Sequence, residues 1–174
     1  MVSTYKFALY QVLLLAIVLI GCKNDSGITQ DPTGQSVSQE TPYVLLVSFD
    51  GFRHDYVDKF DTPNFKAFIE QGTAAESMMP VFPTKTFPNH YSTITGMYPV
   101  NSGIIDNIFF DPGSNTTYAI GDNSRILDPY YYNGKPLWNL LKENGITTAS
   151  YFWLGSETPV NGERPDYYEV FSNR

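Results

Sequence analysis

An α/β fold with a mainly parallel sheet flanked by helices is what this sequence predicts, on three observations. Val44-Leu-Leu-Val-Ser-Phe49 is a near-continuous apolar run of strand length, the pattern of a strand buried on both faces. Proline-opened, glycine-closed segments with apolar residues three and four apart follow it, and these read as amphipathic helices. Strand-like and helix-like segments then alternate, as they do in layered α/β architectures.

The elements follow in order from Tyr43, where folded sequence begins. Thr62-Pro63 reads as N-cap and first helical residue, with Phe65, Phe68 and Ile69 as the inward stripe and Gly72 as the stop. Ala74 to Phe82 fits a second strand. Pro88 opens a helix through Thr95, closed by Gly96. Gly103 to Phe110 has strand character, and residues 111–134, with Asp-Pro-Gly, Asn-Gly and a tyrosine triplet, read as loop. Pro136 starts a helix with Leu137, Leu140 and Leu141 inward, ending at Gly145. Thr147 to Trp153 makes a further strand. The sequence shows no internal repeat and no second domain.

Composition narrows the function. The 174 residues are 42% hydrophobic and 16% aromatic, enough apolar mass for a packed core. Eleven Lys and Arg face eighteen Asp and Glu, a net charge of −7. That balance argues against binding to nucleic-acid polymers, which requires a basic surface. An anionic small-molecule substrate would need local positive charge, and bound metal is its natural source. The single cysteine, Cys22, excludes an intrachain disulfide and any multi-cysteine metal site. The two histidines, His54 and His90, leave few of the commonest transition-metal ligands.

The cysteine has another use. Lys6 precedes an apolar stretch from Val12 to Ile20 that is short for a membrane span. Leu19-Ile-Gly-Cys22 resembles the lipobox of bacterial lipoproteins, in which the cysteine is acylated and becomes the mature N-terminus. A plain signal peptide or an uncleaved anchor is the alternative. The expected division is a signal peptide over residues 1–21, acylated Cys22 with a polar tether over 22–42, and the catalytic portion over 43–174. Residues 23–41 hold almost nothing to bury, and as a coil they would place the domain on the order of 25 Å from its anchor. The expected location is outside the cytoplasm, membrane-anchored in the periplasm or at the cell surface.

Two places in the fold invite chemistry. In open parallel sheets, active sites lie beyond the carboxyl ends of the strands, where Asp50-Gly51 follows the first strand. Asp50 there can be a metal ligand, or equally a helix cap or turn residue. Thr86 lies at or just before the start of the helix containing Pro88. Free backbone N–H groups and the helix dipole would favour an anion there. A threonine hydroxyl needs a base or metal to become a nucleophile, and as an N-cap it needs no chemistry at all.

Taken together, Val47-Ser-Phe-Asp-Gly-Phe-Arg53, Pro83-Thr-Lys-Thr-Phe-Pro-Asn-His-Tyr-Ser92, Thr95-Gly-Met-Tyr-Pro99, Gly103-Ile-Ile-Asp-Asn107 and Tyr151-Phe-Trp-Leu-Gly-Ser156 resemble the nucleotide pyrophosphatase/phosphodiesterase family of the alkaline phosphatase superfamily. The resemblance runs over residues 43–174 and implies an alkaline-phosphatase-like sandwich. It further implies two zinc ions and attack on a phosphodiester through a covalent phospho-threonine. Asp50 matches a carboxylate ligand of one zinc. Thr86 matches the nucleophile, whose oxygen also contacts that zinc. Asn107 matches the donor to a non-bridging phosphoryl oxygen. Phe87 and Phe171 fall where the family places aromatic or apolar groups near the leaving group or nucleobase, although core packing explains them more simply. His54 and His90 match no family ligand; His90 is expected to support the nucleophile loop and His54 to be solvated.

The sequence departs from the family pattern at Ser102, where His is common, and at Leu154, where Pro is common. The family's remaining Asp and His ligands lie further along a longer chain. The expectation is therefore an N-terminal portion, with part of one metal site and no activity by itself. A binding-only surface lipoprotein, and a phosphomonoesterase or phospholipid-head-group phosphodiesterase of the same superfamily, are the alternatives.

Overall fold

The computed structural model describes residues 43–171. The signal segment, Cys22 and the tether lie outside the described residues. The chain divides into two compact units, Met1–Leu46 and Val47–Arg174. Of the first, only residues 43–46 are described; they form no strand and are exposed.

The second unit carries the remaining structure. Its helices are α1 (Tyr56–Lys59), α2 (Pro63–Gln71), α3 (Thr86–Thr95), α4 (Pro99–Ser102), α5 (Asn123–Ile126) and α6 (Leu137–Glu143), with a 3₁₀ turn at Pro129–Tyr131. Its strands are β1 (Ile108–Asp111), β2 (Thr116–Ala119), β3 (Ala149–Tyr151) and β4 (Tyr167–Glu169). They form two small sheets: β1 and β2 pair antiparallel, from Ile108 opposite Ala119 to Asp111 opposite Thr116, and β3 and β4 pair parallel, from Ala149 opposite Tyr167.

The α/β class therefore holds, but a continuous parallel sheet is not found among the described residues. Val44–Phe49 forms no strand, because a strand exists only through a ladder partner and none of the described residues provides one. Ala74–Phe82 is likewise irregular; Pro80 cannot donate to a ladder, and Met78 and Met79 stand exposed. The segment from Gly103 becomes a strand only at Ile108. The stretch expected as loop contains β2, because Asp111-Pro-Gly-Ser closes a hairpin. The Asp111 carboxylate accepts the N–H groups of Gly113 at 3.2 Å and Ser114 at 2.9 Å. Hydrogen bonds from Ser114 hold its pKa down to about 2.

The helices conform more closely. Pro63 opens α2, and Gly72 caps it by donating to the Ile69 carbonyl. Its expected inward stripe is only partly covered: Phe65 packs its ring on Phe49 and Phe52, while Phe68 is exposed. In α6 the buried pair is Trp138 and Asn139, not Leu137 and Leu140, which are exposed. Asn139 earns its burial by donating Nδ2 to the Val160 carbonyl at 2.8 Å. None of the helices among the described residues is long and apolar enough to cross a membrane.

The core comprises Tyr91, Ile94, Ile104, Tyr118, Tyr131, Tyr132, Trp138 and Val160. Half of these are tyrosines, so buried hydroxyls must find partners. Tyr91 donates to the Asn133 carbonyl at 3.1 Å, Tyr132 to the Ile126 carbonyl at 2.8 Å, and the Tyr118 and Tyr132 hydroxyls share a bond of 3.1 Å. Burial pushes Tyr118 up to about 12 and raises Tyr91 and Tyr132 further, so all three stay neutral donors.

Two glycines test this packing. Gly96 and Gly103 both hold positive φ, +69° and +88°. A Cβ on Gly96 would meet open space, whereas one on Gly103 would collide with the Tyr131 backbone carbonyl oxygen. Gly96→Ala should cost about 1–2 kcal/mol, the left-handed penalty alone. Gly103→Ala should cost clearly more, read as the difference between the two urea midpoints.

Candidate functional site

The N-terminus of α3 organises the site. Asn89, four residues into that helix, reaches back over the loop before it. Its Oδ1 accepts the Val81 N–H at 2.8 Å, and its Nδ2 donates to the Lys85 carbonyl at 2.9 Å and the Pro83 carbonyl at 3.3 Å. The residues preceding Thr86 are thereby stapled to the helix that follows. The sequence alone gave Asn89 no role, although its place one turn after the loop was the available signal.

Thr86 is the first helical residue. The N-cap position belongs to Lys85, and no side chain caps the helix. The Thr86 hydroxyl instead donates to Asp50 Oδ2 at 3.1 Å, across 36 residues of sequence. Asp50 is open to solvent with 62% of its side chain exposed, so the pair is accessible to a ligand.

Few of the expected free N–H groups remain at this helix end. The Phe87 N–H donates to Asn107 Oδ1 at 2.9 Å, and Pro88 has none. Anchoring Oδ1 leaves the NH₂ group of Asn107 as the side of the amide that a ligand can use. The Phe87 ring is half-buried and stands edge-on to Tyr118, centroids 6.4 Å apart. Phe171 donates its N–H to Glu157 at 2.7 Å, and its ring packs on Phe152.

The remaining polar groups divide cleanly. His90 sits over Asp50, with Nε2 4.0 Å from Oδ1, and its Nδ1 meets Ser48 Oγ at 3.1 Å. Ser48 was not singled out by the sequence; its place two residues before Asp50 was the clue. His54 is exposed. Arg53 forms an ion pair with Asp55, whose carboxyl it holds below the usual range, so this cation is neutralised by its own neighbour.

The donor chemistry fits part of a metal site. Asp50 and Thr86 bring a carboxylate and a hydroxyl oxygen together, both acceptable to a divalent cation. No cluster of three or more His, Cys, Asp or Glu is found among the described residues, and a catalytic zinc takes three protein ligands.

The chain is similar to known proteins over most of the described residues. The sequence profile of the type I phosphodiesterase / nucleotide pyrophosphatase family matches residues 44–174. Human ectonucleotide pyrophosphatase/phosphodiesterase family member 1 is 36% identical over 160 residues, covering 87% of this chain and 17% of the human protein. Venom phosphodiesterase 2 of Crotalus adamanteus is 38% identical over 149 residues, covering 84% of this chain and 18% of the venom protein. Among solved structures, an inactive threonine-to-alanine variant of murine ectonucleotide pyrophosphatase/phosphodiesterase 5, in complex with AMP, superimposes with a TM-score of 0.68 at 32% identity. That match covers 72% of this chain and 33% of the murine one. The chain thus spans less than a fifth of these curated relatives.

The Asn107 anchor has a measurable consequence. Asn107→Ala removes the acceptor of the Phe87 N–H and should lower stability by about 1 kcal/mol. Asn107→Asp keeps that acceptor beside the positive end of the helix and should restore most of it. Urea midpoints of the two variants check this order.

Proposed function

The chain belongs to the type I phosphodiesterase / nucleotide pyrophosphatase family, and from that premise we propose that it carries the nucleophile side of a site hydrolysing phosphodiester or pyrophosphate bonds, with nucleotides as substrates. One observation carries this reading. The Thr86 hydroxyl makes no capping bond and is turned instead to a carboxylate. The AMP complex of the inactive threonine variant in a relative supports the same reading. We take the described residues as part of an alkaline-phosphatase-like α/β sandwich.

In this reading the Thr86 hydroxyl passes its proton to Asp50 Oδ2, and from there to solvent, as Oγ attacks phosphorus. A phosphorus–oxygen bond forms to Thr86 as the bond to the leaving group breaks, and the leaving oxygen takes the electron pair. Water then hydrolyses the phospho-threonine. The Asn107 NH₂ donates to a non-bridging oxygen; being neutral, it suits a diester, which carries less charge than a monoester dianion. Phe87 and Phe171 are the aromatic residues assigned to the leaving-group side. Asp50 and Thr86 would contribute two oxygens to one of two zinc ions, and zinc when bound supplies the positive charge that lowers the threonine pKa and offsets phosphoryl charge. With only two donors from the described residues, this portion alone should hold zinc weakly and turn over no substrate.

The test uses the product of the whole reading frame and a nitrophenyl phosphodiester. Thr86→Ala should fold normally, since no cap is lost, yet lose several orders of magnitude in turnover. Asn107→Ala should lose about 100- to 1,000-fold. Asp50→Asn should lower bound zinc in metal analysis. A Thr86→Ala protein that keeps a tenth or more of turnover would falsify the assignment.

We further propose that residues 1–21 are a signal peptide and that acylated Cys22 tethers the protein to a membrane outside the cytoplasm. Cys22→Ser should abolish lipid labelling and move the protein to the aqueous phase of a detergent partition. Unchanged retention would point to an uncleaved helix instead.

A further inference from the structure

Two spacings meet at the Asp50–Thr86 pair. Ser48 and Asp50 are two residues apart on the segment entering the site. Thr86 and His90 are four apart on α3 and so share one helix face. The Thr86 hydroxyl bonds Asp50 Oδ2 at 3.1 Å and Ser48 Oγ bonds His90 Nδ1 at 3.1 Å, which leaves His90 Nε2 beside Asp50 Oδ1 at 4.0 Å.

We propose that His90 is a positioning residue for Asp50: fixed by Ser48 at Nδ1, it presents Nε2–H to the Oδ1 edge of the carboxylate and keeps Oδ2 turned to Thr86. Its catalytic consequence rests on the reading of Thr86 as nucleophile; its geometry does not.

Electrostatics selects the tautomer. A neutral imidazole carries one N–H. A carboxylate beside Nε2 favours the hydrogen on that nitrogen, and the Ser48 hydroxyl then donates to the bare Nδ1. The opposite tautomer would aim a lone pair at the carboxylate. At 4.0 Å the Nε2 contact lies beyond hydrogen-bond range, so it acts as a charge–dipole attraction that steers one carboxylate edge.

The ring is held for this task. Only 22% of the His90 side chain is exposed. The Trp153 indole stands edge-on to it, centroids 5.9 Å apart, and donates Nε1–H to the His90 carbonyl at 3.1 Å. Residue 153 thus locks both the ring and the backbone of His90, whereas His54 is left exposed.

The chain has two histidines, so ring ¹⁵N spectra contain two spin systems, and His54→Gln identifies that of His90. At a pH where both rings are neutral, His90 should show the Nε2–H tautomer, and Ser48→Ala should shift it toward a mixture. In the product of the whole reading frame, His90→Phe keeps a ring against Trp153 but offers no nitrogen. It should lower kcat about 10- to 100-fold, the range for groups that orient a metal ligand, with KM little changed. His90→Gln, whose amide nitrogen reaches the Nε2 position, should recover most of that loss. An Nδ1–H tautomer in the unmodified protein, a tautomer indifferent to Ser48→Ala, or wild-type kcat in His90→Phe overturns the proposal. Retained turnover in Thr86→Ala instead overturns the nucleophile reading, while the tautomer shift still decides the Ser48–His90–Asp50 geometry.

Discussion

The seating of α3 is the constraint on which the site depends. Phe87, Tyr91 and Ile94 form one stripe of this helix and pack into the core, with Tyr91 wholly buried. Thr86 and His90 precede Phe87 and Tyr91 by one residue each, about 100° around the helix. Burying the aromatic stripe therefore turns Thr86 and His90 onto the flank that meets Ser48 and Asp50. Asn89 sits between them and ties the preceding loop down. One helix orientation thus sets the hydroxyl, the imidazole and the loop together.

What seats the helix is directional as much as hydrophobic. A core rich in tyrosine cannot slide as an aliphatic one can, because each buried hydroxyl loses its partner if it moves. Tyr91 rests edge-on against Tyr132 at 5.1 Å and bonds the Asn133 carbonyl. The Asn133 N–H in turn donates to the carbonyl of buried Ser102 at 2.8 Å. The residues after α4 are thereby linked to the same seat, and Asn107 follows them to the Phe87 N–H. The amide of Asn107 and the hydroxyl of Thr86 consequently share a single rigid reference.

The acidic side of the site is the open side. Asp50 is largely exposed, and the apolar run before it has no ladder partner among the described residues. A ring cluster of Phe49, Phe52, Tyr56, Phe60 and Phe65 accompanies it on the surface. Exposed apolar surface of this extent is uncommon on a soluble monomer. Steering of the carboxylate by His90 gains importance under these conditions, since solvent would otherwise let it rotate.

Local features were legible in the amino-acid sequence. Pro63 and Gly72 set the bounds of α2, Gly96 ended α3, and Asp50 and Thr86 were legible as candidates, because caps, breakers and side-chain chemistry act within a turn or so of the chain; Asn107 was legible only through the family resemblance. Strand assignment failed for Val44–Phe49 and Ala74–Phe82, and β2 was missed, because strand formation depends on a partner that local sequence does not contain. Leu137 and Leu140 were assigned inward for the same reason: which face of an amphipathic helix is covered depends on what packs against it. Long-range packing is what turns the Thr86 hydroxyl from the helix cap to a carboxylate 36 residues away, sets Asn107 on the Phe87 N–H, and brings Ser48 and His90 around Asp50. A hydrogen bond is fixed by distance and angle in space, and those are set by the packing of α3 on its tyrosine core.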